Sequence, residues 1–206
     1  MDLTERIAAC VLVALIAATN VGGGATKAEA GKACRCVAYT AENNVAVVFA
    51  DGGVASRAVP ESCASTLRRL RRANQKTTAI AFHPDGGYVV VYGKRGYCAR
   101  QIPGNLAEEL ADANNRRETI YSVAFTNGGG WVLLTSERWR WSGNVPRALL
   151  ERMKTARDEG ASLQNVSFNA SGGWRLFCVA KDLQLKVYSD GADRMQLRLA
   201  RRAERS

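Results

Sequence analysis

The chain has 206 residues, of which 29 are Lys or Arg and 19 are Asp or Glu, so its formal charge is +10. A hydrophobic fraction of 47% is enough to bury a substantial core, which excludes a wholly disordered chain, and the length suits one domain or two small ones. His83 is the only histidine, which excludes a site with several histidine ligands and any mechanism that needs two histidines.

The first thirty residues have the features of an export signal. Residues 7–21 are almost entirely apolar, and Ala28-Glu29-Ala30 has the small-x-small pattern of a signal-peptidase site. Asp2 and Glu5 depart from the usual positive start, and the alternative is a buried N-terminal helix. We predict a signal peptide over 1–30 that is cleaved after Ala30, and a secreted or periplasmic mature chain.

A period of 43 residues organises the rest of the chain. Four aromatic residues that each end a short apolar stretch keep this spacing: Tyr39, Phe82, Phe125 and Phe168. Glycine pairs recur in the same register at 86–87, 129–130 and 172–173, and so do prolines at 60, 103 and 146. The register predicts one repeat domain, 31–206, with units at 34–76, 77–119, 120–162 and 163–206.

Each unit is predicted to contain three strands and a helix. A first strand ends at the aromatic residue, a glycine-rich turn follows, and the second strand is apolar at almost every position, which predicts cover on both faces. The third strand alternates more, so we expect it near the surface, ending at Val59, Ile102, Val145 or Tyr188. A stripe such as Cys63, Leu67 and Leu70 then predicts a helix that starts at the proline, and Met195 with Leu199 continue the stripe in the last unit.

The fold class is therefore α+β. One unit cannot cover both faces of its second strand, so neighbouring units must do so. We expect a closed, propeller-like ring with pseudo-fourfold symmetry and the helices outside, because closure leaves fewer unpaired strand edges. An open array of the same units is the alternative.

The stretch AFHPDGGYVVVYGKRGY from Ala81 to Tyr97 resembles the first strands of a WD-type β-propeller blade. The Gly-His and Trp-Asp dipeptides of that family are missing, and a helix replaces the fourth strand, so the unit is more similar to those of α/β-propellers. The pattern V-A-F-x-x-x-G-G-W-V-x-L also resembles tandem repeats of uncharacterised bacterial proteins. Propeller resemblance implies a binding platform and transfers no catalytic residues.

Residues suited to catalysis or metal binding are few. His83 lies in a predicted turn, and an enzymatic alternative pairs it with Asp85 and Cys98, as in α/β-propeller enzymes that act on guanidino groups. Glu108, Glu109 and Asp112 are predicted to form the solvent side of the second helix rather than a metal site. The glycine pairs lack nucleotide-binding spacing, so no cofactor or metal is predicted.

Export would place the cysteines in an oxidising compartment, where a structural role outweighs a catalytic one. Spacing does not give the connectivity. The disulfide candidates of the mature chain are Cys34, Cys36, Cys63, Cys98 and Cys178.

The segment Arg138-Trp139-Arg140-Trp141 interrupts the repeat, because no aromatic residue stands at the tryptophan positions in the other units. In an extended segment both indoles project from one face and both arginines from the other. Such a surface suits sugar stacking, cation–π contacts or a protein hot spot. The alternative is that the indoles cover a helix.

Basic residues concentrate in the first predicted helix, at Arg68, Arg69, Arg71 and Arg72, and in the tail beyond residue 190. The hypothesis from the sequence is an exported, non-catalytic domain that binds an anionic polymer, a glycan or a protein through this basic and aromatic surface. Export argues against nucleic acid as the normal partner. The alternatives are the enzyme that uses Cys98 and His83, a purely structural scaffold, and a basic surface that only aids solubility.

Overall fold

The computed structural model describes residues 34–42, 44–169, 171–182 and 185–190. The described chain is α+β, with twelve strands in four three-stranded antiparallel sheets and three helices. Each sheet falls within one predicted unit, and we number the units 1 to 4 in chain order. The predicted leader, the helix stripe of unit 4 and the basic tail lie outside the described residues.

The elements recur in the same order in every unit. Unit 1 contains β1 (Cys34–Tyr39), β2 (Val45–Phe49), β3 (Val54–Ser56) and α1 (Glu61–Arg72). Unit 2 contains β4 (Thr77–Phe82), β5 (Tyr88–Tyr92), β6 (Gly96–Arg100) and α2 (Gly104–Asn115). Unit 3 contains β7 (Ile120–Phe125), β8 (Trp131–Thr135), β9 (Trp139–Ser142) and α3 (Arg147–Asp158). Unit 4 contains β10 (Ser162–Phe168), β11 (Trp174–Val179) and β12 (Leu185–Ser189).

In each unit, the residue after the aromatic position forms hydrogen bonds across the turn between the first two strands. In unit 3 the Thr126 hydroxyl accepts a hydrogen bond from the Gly130 amide at 3.0 Å, and in unit 4 the Asn169 side chain accepts one from Gly173 at 2.7 Å. Gly129 has φ +75°, a left-handed conformation that glycine adopts without steric cost. The glycine pairs are therefore turn residues.

The first strand of every unit carries a β-bulge at an equivalent position. The register shifts between Cys34 and Cys36 in β1, and the same shift recurs 43 residues later in each following unit, between Thr77 and Ala79, Ile120 and Ser122, and Leu163 and Asn165. A bulge increases the local twist of a strand. The sequence pattern did not predict this shared feature.

The third strands of units 1 to 3 end two to three residues earlier than predicted, whereas β12 ends at Ser189, one residue later than predicted. β3 ends at Ser56 and β6 at Arg100, because Ala58 and Gln101 have φ near +50° and turn the chain out of the sheet before the proline. As expected, these strands lie at the sheet edge and are the most exposed of the three. Each proline is the N-cap residue of its helix.

Each helix packs against the sheet of the unit that follows it. α1 contacts β5, α2 contacts β8, and α3 contacts β10 and β11. The aromatic residue that begins each second strand lies under the preceding helix: the Tyr88 hydroxyl donates to the Ser62 carbonyl of α1, and the Trp131 indole donates to Asn105 of α2. Cover of the second strand on both faces is thereby confirmed for units 2 to 4, since β5, β8 and β11 are buried along nearly their whole length.

The first strands lie next to one another in the interior. β1 contacts β4, β4 contacts β7, β7 contacts β10, and β10 also contacts β1. Residues of all four strands line a narrow cavity of about 20 Å³. None of the four sheets closes on itself.

The outer face of the sheet in unit 1 is the least covered. Val37 and Val47 are half-buried, whereas their counterparts Ile80 and Val90 in unit 2 are almost fully buried. Among the described residues no helix precedes this sheet, so no described helix covers its outer face. None of the described helices has the length and apolar content needed to span a membrane.

The three helices end in the same Schellman motif, in which the residue after the C-cap has positive φ. Asn74, Arg117 and Gly160 occupy this position with φ of 53°, 61° and 77°. The amide of the next residue donates to a carbonyl five residues earlier, as from Glu118 to Ala113 at 2.9 Å. Gly160 thus ends the third helix as predicted, while Arg117 carries a Cβ where glycine is favoured.

We predict that Arg117→Gly stabilises the protein by about 0.5–1 kcal/mol, because it removes the steric cost of a left-handed non-glycine residue. The measurement is the free energy of unfolding in guanidinium chloride. Arg117→Ala is the matched control, since it removes the same side chain but keeps the Cβ. An equal gain in both variants would contradict the prediction.

Candidate functional site

A groove of about 390 Å³ lies in unit 1, between the β2–β3 turn, α1 and the start of β4. We call it the unit 1 groove. Its lining includes Gly52 and Gly53 of the turn, Leu67 of the helix, and three basic residues: Arg68, Arg71 and Lys76.

The groove is open because of one repeat position. Val54, Tyr97 and Trp139 are equivalent in the sheets, because they pair with Val48, Val91 and Leu134, which are 43 residues apart. In unit 3 Trp139 lines the equivalent groove, whose volume is only about 130 Å³. In unit 1 the smaller Val54 stands at this position, and Leu67 is only half-buried although its counterparts Leu110 and Met153 are fully buried.

The charges around the groove are mainly positive and largely unpaired. Arg68 forms an ion pair with Glu61, which lies two turns earlier on the same face of α1. Among the described residues, Arg71, Arg72 and Lys76 have no acidic partner, and all three are exposed. The Asp51 carboxylate also lines the groove, where it accepts a hydrogen bond from the Gly53 amide at 2.7 Å.

Four arginines of α1 were candidate binding residues, and the structure divides them. Arg68 and Arg71 line the unit 1 groove. Arg69 extends over unit 2 instead, where its guanidinium lies 3.2 Å from the Cys98 sulfur, and Arg72 is exposed in the last turn. We call Arg68, Arg69, Arg71, Arg72 and Lys76 the basic face of α1.

The two tryptophans of β9 stack on one face of the strand. Their ring centroids are 4.8 Å apart, and the ring planes are inclined by 25°. Trp139 packs against a core cluster that contains Leu149 and Met153 of α3, so it partly covers a helix. Trp141 is 45% exposed and is the most exposed large hydrophobic side chain in the described part of the chain.

The two arginines of β9 bind the acidic residues of unit 2. Arg138 lies 2.5 Å from Asp112, 3.2 Å from Glu118 and 3.9 Å from Glu109, and Arg140 lies 3.7 Å from Glu109. Glu108 is exposed as predicted, whereas Glu109 and Asp112 are only partly exposed, because the neighbouring unit brings arginines to them. Arg138 and Arg140 join unit 3 to unit 2 and are engaged within the protein.

The pKa values in this cluster follow from the ion pairs. Hydrogen bonds from Arg138 and then Arg116 lower the pKa of Asp112, and the hydrogen bond to Asp112 raises the pKa of Arg138. Glu118 is buried and accepts a further hydrogen bond from the Thr135 hydroxyl at 2.6 Å. The carboxylates of unit 2 and the arginines of unit 3 therefore hold one another across the boundary between the units.

The structure does not bring His83 and Cys98 together. His83 is 8% exposed, accepts a hydrogen bond from the Asp85 amide and packs edge-on against Phe125 at 5.0 Å. His83 directly follows β4, whereas Cys98 lies on β6, so β5 separates the two by roughly 9–10 Å across the sheet. That distance is beyond hydrogen-bond reach.

None of the four cysteines with described side chains forms a disulfide: Cys36, Cys63, Cys98 and Cys178. The disulfides predicted among these four are therefore not formed in the structure. Burial raises the pKa of Cys63 and Cys178 to about 12. The side chain of Cys34, the fifth candidate, lies outside the described residues.

Within the described ranges, no group of three or more His, Cys, Asp or Glu side chains could hold a metal ion. A comparison with protein-family models finds no match for the chain, and a comparison with curated proteins finds none either. The function is therefore inferred from the geometry and charge of the described residues.

Sequence reasoning found the arginines of the unit 1 groove but missed the groove. The sequence spacing aligns Trp139 with Gly53, whereas the strand pairing aligns it with Val54. A valine at a position that elsewhere holds an indole leaves a space, and the cations on the adjacent helix then give that space a charge.

We predict that Arg138→Ala lowers the free energy of unfolding by about 2 kcal/mol, because it leaves the buried Glu118 carboxylate without its cation. Arg140→Ala is the matched control, since Arg140 is 45% exposed at its side chain and should cost less than about 1 kcal/mol. Denaturant unfolding of both variants measures the difference. Equal costs would show that Arg138 has no special role at the boundary between the units.

Proposed function

We propose that the four units form a closed ring with pseudo-fourfold symmetry and the helices on its outer side. Support comes from the contact of β10 with β1, which joins the last unit to the first. The Asn165 side chain contributes to this contact, because its amide donates to the Arg35 carbonyl at 3.4 Å. The same residue accepts a hydrogen bond from Ser122 of unit 3 at 3.3 Å, so Asn165 links three units.

We further propose that the protein is a non-catalytic binding domain for an anionic partner, which it holds on the basic face of α1. The observation that carries this proposal is that Arg71, Arg72 and Lys76 have no acidic partner among the described residues. Arg71 and Lys76 line the unit 1 groove, and Arg72 follows Arg71 on the same helix. The arginines of β9 differ, because acidic residues of unit 2 already bind them. Of the two arginine clusters, only the α1 cluster therefore has positive charge available for a partner.

The proposed setting is outside the cytoplasm, in keeping with the export signal read in residues 1–30. An acidic protein, an anionic glycan or another anionic polymer would then meet the domain, and nucleic acid would not be its normal partner. The separation of His83 from Cys98 gives the enzymatic alternative no support.

We predict that the protein binds dextran sulfate in a salt-sensitive manner and that Arg71→Ala with Arg72→Ala weakens this binding about tenfold. Two exposed cation contacts worth about 0.5–1 kcal/mol each give a loss of this size. The affinity is measured by calorimetric titration at low and at moderate ionic strength, because added salt screens exposed charges.

The control variant carries Lys94→Ala and Lys154→Ala, which remove the same charge from exposed positions on units 2 and 3. It should bind dextran sulfate nearly as well as the unaltered protein. Equal losses in the two variants would mean that net charge alone drives binding, and the proposal for the basic face of α1 would fail. Binding that salt leaves unchanged would also contradict it.

A further inference from the structure

We propose that the unit 1 groove is a docking site for an acidic polypeptide segment that inserts one aromatic side chain into it. This inference depends on the proposed function and narrows the anionic partner to a protein. The aromatic ring would lie on the floor of the groove, and the acidic residues beside it would meet the cations at the rim.

The groove has an apolar floor beneath a basic rim. Val54, Ala64 and Leu67 line it and are only half-buried, although Leu67 belongs to a helix stripe that is fully buried in units 2 and 3. Arg68, Arg71 and Lys76 also line it. A ligand that covered this floor would remove apolar surface from water, which a compact inorganic anion cannot do.

Unit 3 shows which group fits such a groove. Trp139 occupies there the position of Val54, and Arg157, which is equivalent to Arg71, lines the same space. The chain thus fills one copy of the groove with its own indole beside an arginine. In unit 1 the indole is missing, the arginine is retained, and the volume is about 390 Å³ instead of about 130 Å³.

The charge of the groove rim determines which residues should flank the aromatic side chain of the partner segment. Three basic residues and one acidic residue, Asp51, line the groove, and Asp51 accepts a hydrogen bond from the turn. Acidic residues on either side of an aromatic anchor would complement this rim. Aromatic side chains that fill a pocket supply a large share of the binding energy at protein interfaces.

The test compares two short peptides by calorimetric titration. One has a tryptophan flanked by two glutamates on each side, and the other has alanine in place of the tryptophan. The unaltered protein should bind the tryptophan peptide at least tenfold more tightly, a difference of about 1.4 kcal/mol. Val54→Trp should abolish this preference and leave the weak binding of the alanine peptide, since it fills the groove and keeps every cation.

Val54 stands in β3 at the position that holds Trp139 in β9, so tryptophan is compatible with its backbone. Thermal unfolding checks that the variant folds. If it does not, Leu67→Gln, which makes the groove floor polar, replaces it with the same expected loss of preference. Trp141→Ala is the control, because it alters an exposed indole on another unit and should leave the preference intact.

Equal affinity of the unaltered protein for the two peptides would overturn the inference, and so would an unchanged preference in Val54→Trp. Polyphosphate that binds more tightly than the tryptophan peptide would also overturn it, because the partner would then be a phosphate polymer. These results leave the proposed function standing as long as dextran sulfate binding depends on Arg71 and Arg72. Failure of dextran sulfate binding itself would reject the proposed function.

Discussion

The structure depends on the burial of each middle strand on both faces by residues from two different units. Each three-stranded sheet turns one face toward the interior of the protein. The helix of the preceding unit covers the other face, as α1 of unit 1 covers β5 of unit 2. The apolar runs of β5, β8 and β11 make this cover obligatory, since each exposed Val, Leu or Trp would lose about 1.5–3 kcal/mol of hydrophobic stabilisation. The units are therefore folded only as an assembly, and unit boundaries become the sites of the ion pairs and hydrogen bonds that join them.

Much of this architecture could be predicted from the sequence, because the period of 43 residues sets the order and the approximate bounds of the strands, turns and helices. The first strands begin at Cys34, Thr77, Ile120 and Ser162, within one residue of the predicted unit starts. The features that were missed depend on contacts between units or on local backbone conformation. The acidic side chains of α2 meet Arg138 only after two units pack together, and the third strands of units 1 and 2 end early because Ala58 and Gln101 take positive φ, which residue type alone does not indicate.

The candidate site illustrates how a repeat protein acquires function at positions where the repeat is broken. One position holds Val54 in unit 1 and Trp139 in unit 3, and it leaves an open groove in one unit and a smaller one in the other. The two arginine clusters follow the same principle. Those of β9 bind the carboxylates of the neighbouring helix, whereas several cations of α1 face solvent without a partner among the described residues. Charge that is not needed for the assembly of units is available for a partner.

The measurement that most directly tests mutual cover and ring closure is denaturant unfolding followed by two probes at once. All four tryptophans lie in units 3 and 4, so their fluorescence reports on that half, while the reactivity of Cys36 and the buried Cys63, mapped by mass spectrometry, reports on unit 1. A closed ring predicts that the thiols become reactive at the same denaturant concentration at which the fluorescence changes. Thiols that react at a clearly lower concentration would show that unit 1 unfolds on its own, and they would contradict the account.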